Sequence, residues 1–386
     1  MARLDRAASI ADLRELARRR LPRSVFEFID GGAGDEWTLR NNTGDLDAIR
    51  LMPRVAVNVA ARSTATEVVG HGSALPLVLA PTGLAGFFRP GGELLAARAA
   101  GRAGIPFCLS TNSVASIEEV AAVPGVDRWF QLYFLKDAAL MSSMLQRART
   151  SGYRVLCLTL DLPVQGRRER DLRNAFTVPL RPTARMIAEV LARPAWLSGF
   201  LRSGVRFGNF EGAVPDKGFG SIAQHIAKLC DASADWATVE RIAREWGGPF
   251  VVKGVLHPAD AERAVAIGAS AVVVSNHGGR QLDHVPSATA ALPGVVAAVA
   301  GRAQVILDGG VRRGIDLIKA KALGADACMI GRPFLWGLAA AGEAGVDRAI
   351  AIFRDELDSS MALLGVTSMD QISRACLDGR SLPGRP

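Results

Sequence analysis

Short unbroken apolar runs recur along the chain, separated by stretches with helical spacing such as ELLAARA at 93–99. The runs are LVLA at 77–80, FCL at 107–109, WFQL at 129–132, VLCL at 155–158, FVV at 250–252, AVVV at 271–274, VIL at 305–307 and ACMI at 327–330. Continuous rather than alternating apolar runs suit parallel strands buried on both faces. Eight strand–helix units predict a closed α/β architecture, the (β/α)8 TIM barrel, rather than an open sheet. Ahead of them, arginines mixed with Asp5, Asp12 and Glu15 read as an amphipathic helix ended by Pro22.

Polar groups gather where each run stops. In order they are Pro81-Thr82-Gly83, Ser110-Thr111, Gln131 with Tyr133, Thr159 with Asp161, Lys253, Ser275 with His277 and Arg280, Asp308-Gly309-Gly310, and Gly331-Arg332. A barrel brings all eight ends to one rim, where barrel active sites sit. After strands seven and eight, DGGVRRG (308–314) and GRPF (331–334) offer glycine N–H groups, arginines and a helix start. That combination suits a phosphate-bearing ligand. No G-x-G-x-x-G follows an early strand and no P-loop appears, which argues against a dinucleotide site or an NTPase.

Composition narrows the picture without redirecting it. The 386 residues are 49% hydrophobic and 22% charged, ordinary for a chain with a large core. Five cysteines without a C-x-x-C pair favour neither a disulfide framework nor a structural zinc site, and no metal is expected. Cys108, Cys157 and Cys328 fall inside strand-like runs and read as small buried hydrophobes in a reducing cytoplasm. The formal charge of +8 comes with no basic tail or nucleic-acid module, so nucleic acid is not an expected partner. No apolar stretch reaches the roughly 18 residues of a spanning helix.

Taken together, LPRSVFEFIDGGAGDEWTLRNN, LAPTG, LSTNS, WFQLY, LTLDLPVQGRRERDLRN, VVKG, SNHGGRQLD, ILDGGVRRG and MIGRPFLWGLAAAGEAGV resemble the FMN-dependent L-2-hydroxy acid dehydrogenases and oxidases. That family includes L-lactate dehydrogenases, (S)-mandelate dehydrogenase and glycolate oxidase. The resemblance covers nearly the whole chain and implies one barrel domain, 1–386, with an N-terminal segment (1–75) and an insertion (177–249). It makes His277 the general base and Asp161 its partner. Arg168 and Arg280 would hold the substrate carboxylate, with Tyr133 near the reacting oxygen. Lys253 would sit against the flavin N1–C2 carbonyl edge. Pro81, Thr82, Gly83, Ser110, Gln131, Thr159 and Ser275 would line the flavin ring. Asp308, Gly309, Gly310, Arg312, Gly331 and Arg332 would hold the ribityl phosphate end. A homo-oligomer, in relatives commonly a tetramer, is implied as well.

The residue types suit that chemistry on their own account. Oxidising a 2-hydroxy acid needs a base for one proton, which a histidine partnered by a carboxylate provides. The substrate is a carboxylate, and arginine's planar fork fits it bidentately. Other FMN barrels would need a diphosphate clamp or a loop cysteine, and a flavin scaffold would need no base. His71, His225, His257 and His284 belong to no comparable cluster.

The sequence departs from the family pattern at two places. Phe28 stands in the substrate-binding position where many relatives carry tyrosine, which makes the pocket more apolar and favours bulky or aryl substrates, or a divergent one such as a modified peptide or amine. Gly83 stands where oxidases often have alanine, which favours a dehydrogenase passing electrons to a quinone or another acceptor over an oxygen-using oxidase. Within the insertion, 181–212 carries five arginines (181, 185, 193, 202, 206) against Glu189 and Glu211, interleaved with Trp196, Leu197, Phe200, Leu201, Phe207 and Phe210. Basic plus aromatic is the composition of a segment lying peripherally in a membrane interface, here the inner face of the cell membrane, and a lid over the site is the other expectation.

Overall fold

The computed structural model describes residues 4–175, 183–204, 206–210 and 230–381. Eight parallel strands close into a barrel: β1 Leu77–Leu79, β2 Phe107–Ser110, β3 Arg128–Leu132, β4 Val155–Thr159, β5 Phe250–Val255, β6 Ala271–Ser275, β7 Gln304–Asp308 and β8 Ala327–Ile330. Each strand pairs with its sequence neighbours, and β8 pairs with β1 to complete the ring. The predicted (β/α)8 barrel is the observed fold.

Alternate residues of each strand face inward and outward. Val78, Cys108, Trp129, Val155, Cys157, Val251, Val273, Ile306 and Met329 fill the barrel interior. Leu77, Leu79, Leu109, Phe130, Leu156, Val252 and Leu307 point outward to the helices. Cys108, Cys157 and Cys328 are buried thiols, as their runs suggest. Below the strands, a small antiparallel ladder of Thr66–Glu67 against Gly72–Ser73 inserts Val68 and Val69 into the same interior cluster. Gln304 Oε1 accepts from Val69 N at 2.7 Å, and Arg154, paired with Asp127 at 2.6 Å, donates to the carbonyls of Val68 and Val69.

Three helices precede the barrel: α1 Ile10–Arg20, α2 Arg23–Asp30 and α3 Trp37–Ala48. Ser9 and Asp12 form a capping box at the start of α1, and Ile10, Leu13 and Ala17 are buried along one face. The helix ends at Arg20, just before Leu21-Pro22, because the residue preceding a proline is pushed out of helical geometry.

Between β4 and β5 run helices Glu169–Arg173, Ala184–Leu191 and Pro194–Ser203, then Trp236–Trp246. The last of these packs on the helix Ala138–Thr150 as an ordinary barrel helix, so the extra chain precedes residue 236. Arg181, Glu211 and His225 lie outside the described residues. The aromatic residues of this stretch do not face outward. Trp196, Phe207 and Phe210 are buried, and Trp196 donates from Nε1 to Phe87 O at 3.2 Å. Trp196 also stacks on Phe200, with Phe87 edge-on to both. The outward apolar groups are instead Ile187, Leu191 and Leu201. Large rings gain more by packing against the barrel than by facing water, which composition alone does not reveal.

Candidate active site

Strand register places the polar ends side by side. Ser110 is level with Gln131, Thr159 with Lys253, Ser275 with Asp308, and Asp308 with Met329. Above them lies a cavity of about 870 Å³, at the upper end of the usual range for small-molecule and cofactor sites. Its walls include Phe28, Pro81, Thr82, Gly83, Tyr133, Thr159, Arg168, Lys253, His277, Arg280, Asp308, Gly309, Gly310, Arg312, Gly331 and Arg332. Asp161, Ser110, Gln131 and Ser275 stand one layer behind and bond to that wall or to one another.

His277 opens the loop after β6. Its Nδ1 lies 2.8 Å from Asp161 Oδ1, and its Nε2 lies 3.5 Å from Tyr133 Oη. Burial pushes the Asp161 carboxyl up, but His277 and Lys253 outweigh it and hold it below the usual carboxylate range. An ionised Asp161 can only accept, so His277 Nδ1 donates to it and Nε2 is left on the Tyr133 side of the ring. Tyr133 keeps its phenolic proton, since burial and Asp161 both raise it. The loop turns sharply here. His277, Gly278 and Gly279 are left-handed in succession, with φ of 58°, 64° and 72°. A side chain on Gly279 would also press within 2.7 Å of the Leu39 backbone nitrogen.

Lys253, Ser275 and Asp308 form a buried triad. Lys253 Nζ is 2.6 Å from Asp308 Oδ2 and donates to Ser275 Oγ at 2.9 Å, while Ser275 Oγ donates to Asp308 at 2.7 Å. Burial alone would strip the proton from Lys253, but Asp308 and Asp161 reverse that, so the ammonium stays charged.

Five arginines line the remainder of the cavity: Arg167, Arg168, Arg280, Arg312 and Arg332. Arg280 donates to the carbonyls of Phe28 at 2.7 Å and Gly31 at 3.1 Å. Arg332 donates to Ile29 O, Gly278 O and Gly31 O at 2.8–3.0 Å. The C-terminal carbonyls of α2 thus orient two guanidinium groups at once. Burial lowers four of these cations: Arg332 to about 9, Arg312 to about 10, Arg280 well below its ordinary value and Arg168 below its own, and neighbouring guanidinium groups push Arg280 and Arg332 down further. Such crowded cations favour an anionic ligand. The Phe28 ring lies 5.2 Å from the Arg280 guanidinium and 6.0 Å from that of Arg168, a cation–π arrangement with both groups.

The residues present fit FMN. Gln131 Nε2 and Thr159 Oγ1 are buried without a partner among the described residues, as expected of groups that meet a polar heterocycle. Lys253 supplies a fixed cation beside them, and Gly309, Gly310 and Gly331 leave backbone open beside Arg312 and Arg332. The motifs do not single out Asp171, which lines the cavity three residues after Arg168, nor the wall residues Asn112, Phe88 and Phe207. Asp171 shares the GRRERD motif with Arg168, where a helical period would have placed it, and Asn112 shares LSTNS with Ser110; Phe88 carries no local signal.

Known proteins resemble the chain along nearly its whole length. The pattern of the FMN-dependent dehydrogenase family matches residues 17–379. The chain is 43% identical over 376 residues to an L-lactate dehydrogenase of Caulobacter vibrioides, covering 97% of this chain and 98% of that protein. It is 44% identical over 372 residues to an L-lactate dehydrogenase of Xanthomonas campestris pv. campestris, covering 95% of each. Among solved structures, the monotopic membrane protein (S)-mandelate dehydrogenase superposes with a TM-score of 0.92 at 38% identity, covering 96% of this chain and 98% of that one. A mandelate oxidase superposes with a TM-score of 0.83 at 38% identity, with the same coverage. The chain belongs to the FMN-dependent dehydrogenase family and is an FMN-dependent oxidoreductase acting on 2-hydroxy acids.

Proposed function

We propose that the chain oxidises an L-2-hydroxy acid of lactate or mandelate type to the 2-oxo acid, with His277 as the general base. The observation that carries this reading is the Asp161–His277 pair, 2.8 Å apart, whose free Nε2 faces the cavity between Tyr133 and the arginines. His277 Nε2 takes one substrate proton, and Asp161 stabilises the imidazolium that results. Arg168 and Arg280 hold the substrate carboxylate and so fix which hydrogen faces the cofactor. Tyr133, a phenol that keeps its proton, bonds the reacting oxygen. When bound, FMN supplies the two-electron acceptor. Lys253 would set its ammonium beside the ring, where it can stabilise negative charge, and Ser110, Gln131, Thr159 and Ser275 would support the ring side. Arg312 and Arg332, with the glycines at 309, 310 and 331, would hold the phosphate, and Asp308 would accept from a ribityl hydroxyl.

Electrons pass on to a quinone. The glycine at 83 supports a dehydrogenase: a methyl there would come within 3.3 Å of Asn112 Cβ and O, so Asn112 would have to give way. Helices Ala184–Leu191 and Pro194–Ser203 expose Ile187, Leu191 and Leu201 beside Arg185 and Arg202, a composition suited to peripheral membrane contact. No helix among the described residues is long and apolar enough to cross a membrane. We read the chain as one domain elaborated by its N-terminal segment and this insertion, assembling as a homotetramer.

His277→Ala tests the base. The variant is expected to bind FMN normally and to reduce it, in an anaerobic panel of 2-hydroxy acids, about 10²–10⁴-fold more slowly. Reduction at the unmodified rate removes the assignment.

A further inference from the structure

Asn42 on α3 and Asn276 at the exit of β6 face each other, only 1% and 4% exposed. Each amide donates to the other at 2.8 Å, Asn42 Nδ2 to Asn276 Oδ1 and Asn276 Nδ2 to Asn42 Oδ1. Asn276 Oδ1 also accepts from Gly279 N at 3.1 Å, and its second amide proton goes to Pro286 O at 3.1 Å. A carboxamide has two donors and two acceptor sites, so Asn276 is fully used and a flipped amide would oppose like to like at every contact. Asn42 Oδ1 in turn accepts from Ala288 N at 3.2 Å, the first residue of the helix Ala288–Val299.

The segment that Asn276 spans is the strained one. Between its backbone and Gly279 lie His277 and Gly278, and a histidine in the left-handed region persists only where its surroundings hold it. The Asn276 side chain bridges the turn, and Asn42 fixes the side chain. The same residue abuts the loop after β7, since a side chain on Gly310 would collide with Asn42 O. Asn42 itself does not line the cavity.

We propose that Asn42 is a positioning residue, acting through Asn276 on the turn that aims His277 Nε2 at the substrate. The inference rests on His277 being the base. Asn42→Asp keeps the shape and the acceptor toward Ala288, but sets a carboxylate oxygen against Asn276 Oδ1. Asn42→Ala removes the pair without adding charge. Both variants are expected to slow anaerobic flavin reduction by about 10–100-fold, the scale of a small misplacement of a reacting group. Affinities for FMN and for a 2-oxo acid, followed by flavin absorbance, should stay within about threefold. The isotope effect with substrate deuterated at Cα should rise, because proton and hydrogen removal become more fully rate-limiting.

The His277→Ala background separates positioning from general support. There, Asn42→Asp should add less than about a twofold effect, since residues acting as one unit are non-additive. An equal loss in both backgrounds overturns the proposal. So does a loss of rate that tracks lost FMN and lowered melting temperature, or a failure of both Asn42 variants to yield FMN-loaded protein. If His277→Ala alone reduces flavin normally, the base assignment falls. If His277→Ala is slow while both Asn42 variants are fast, only the role of Asn42 falls.

Discussion

Asp171 sits in the cavity wall with its carboxyl pushed up to about 6, because burial outweighs the opposing pull of Arg280 and Arg168. Its folded value lies above its ordinary one, so its contribution to stability is fully present below the ordinary carboxylate range and lost as pH rises through about 6. Above that pH it is an anion beside the guanidinium groups proposed to hold the substrate carboxylate. The KM for a 2-hydroxy acid is therefore expected to rise as pH passes through that value. Asp171→Asn should flatten the rise, and KM profiles of the two proteins would check it; an unchanged slope in the variant would assign the effect to another group. Phe28 acts at the same spot in a different way. Its ring lies against Arg280 and Arg168 in cation–π contacts of roughly 0.5–2 kcal/mol each.

Helix α2 shows how an element far from the chemistry in sequence sets the site's geometry. Asp30 at its end receives Arg14 through two bonds of 2.6 and 2.7 Å and Arg170 at 3.3 Å, which pins the carbonyls that orient Arg280 and Arg332. Burial pushes the Asp30 carboxyl up, but Arg14, Arg332 and Arg170 outweigh it and hold it below the ordinary range. Its stabilising contribution is thus present above that range and lost as pH falls through the folded value. Asp30→Asn should cost about 1.5–3 kcal/mol near neutral pH, read as a lower melting midpoint of the FMN-loaded protein, with the gap closing in acid. A gap independent of pH would mean the carboxylate charge is not what matters. The strands and their loaded ends were legible because parallel strands write unbroken apolar runs and each strand end carries its chemistry in a compact motif. The N-terminal brace was not. Asn42 with Asn276, and Asp30 with Arg14 and Arg170, are polar contacts between distant or differently oriented segments, and such pairs leave no periodicity in either partner. The facing of the aromatic residues at 196–210 was illegible for a related reason, since composition records which rings are present but not which way they turn.

For the whole molecule, the proposed peripheral membrane contact rests on the +8 charge and the exposed apolar edge of the insertion, which together suit an anionic lipid surface. Leu191→Glu with Leu201→Glu is expected to lower co-sedimentation with vesicles of anionic phospholipid, while turnover with a water-soluble acceptor stays unchanged. Equal sedimentation of both proteins would place the contact elsewhere. The barrel has a further consequence. Val68 and Val69 stopper its lower end, and Trp129 and Met329 are among the side chains filling the lumen, so the described residues offer no passage through the floor. With the floor closed among the described residues, fuel and oxidant both come from the rim, and a shared approach there has the oxidised acid vacating before the acceptor comes in. Steady-state rates measured against both reactants should plot as parallel lines.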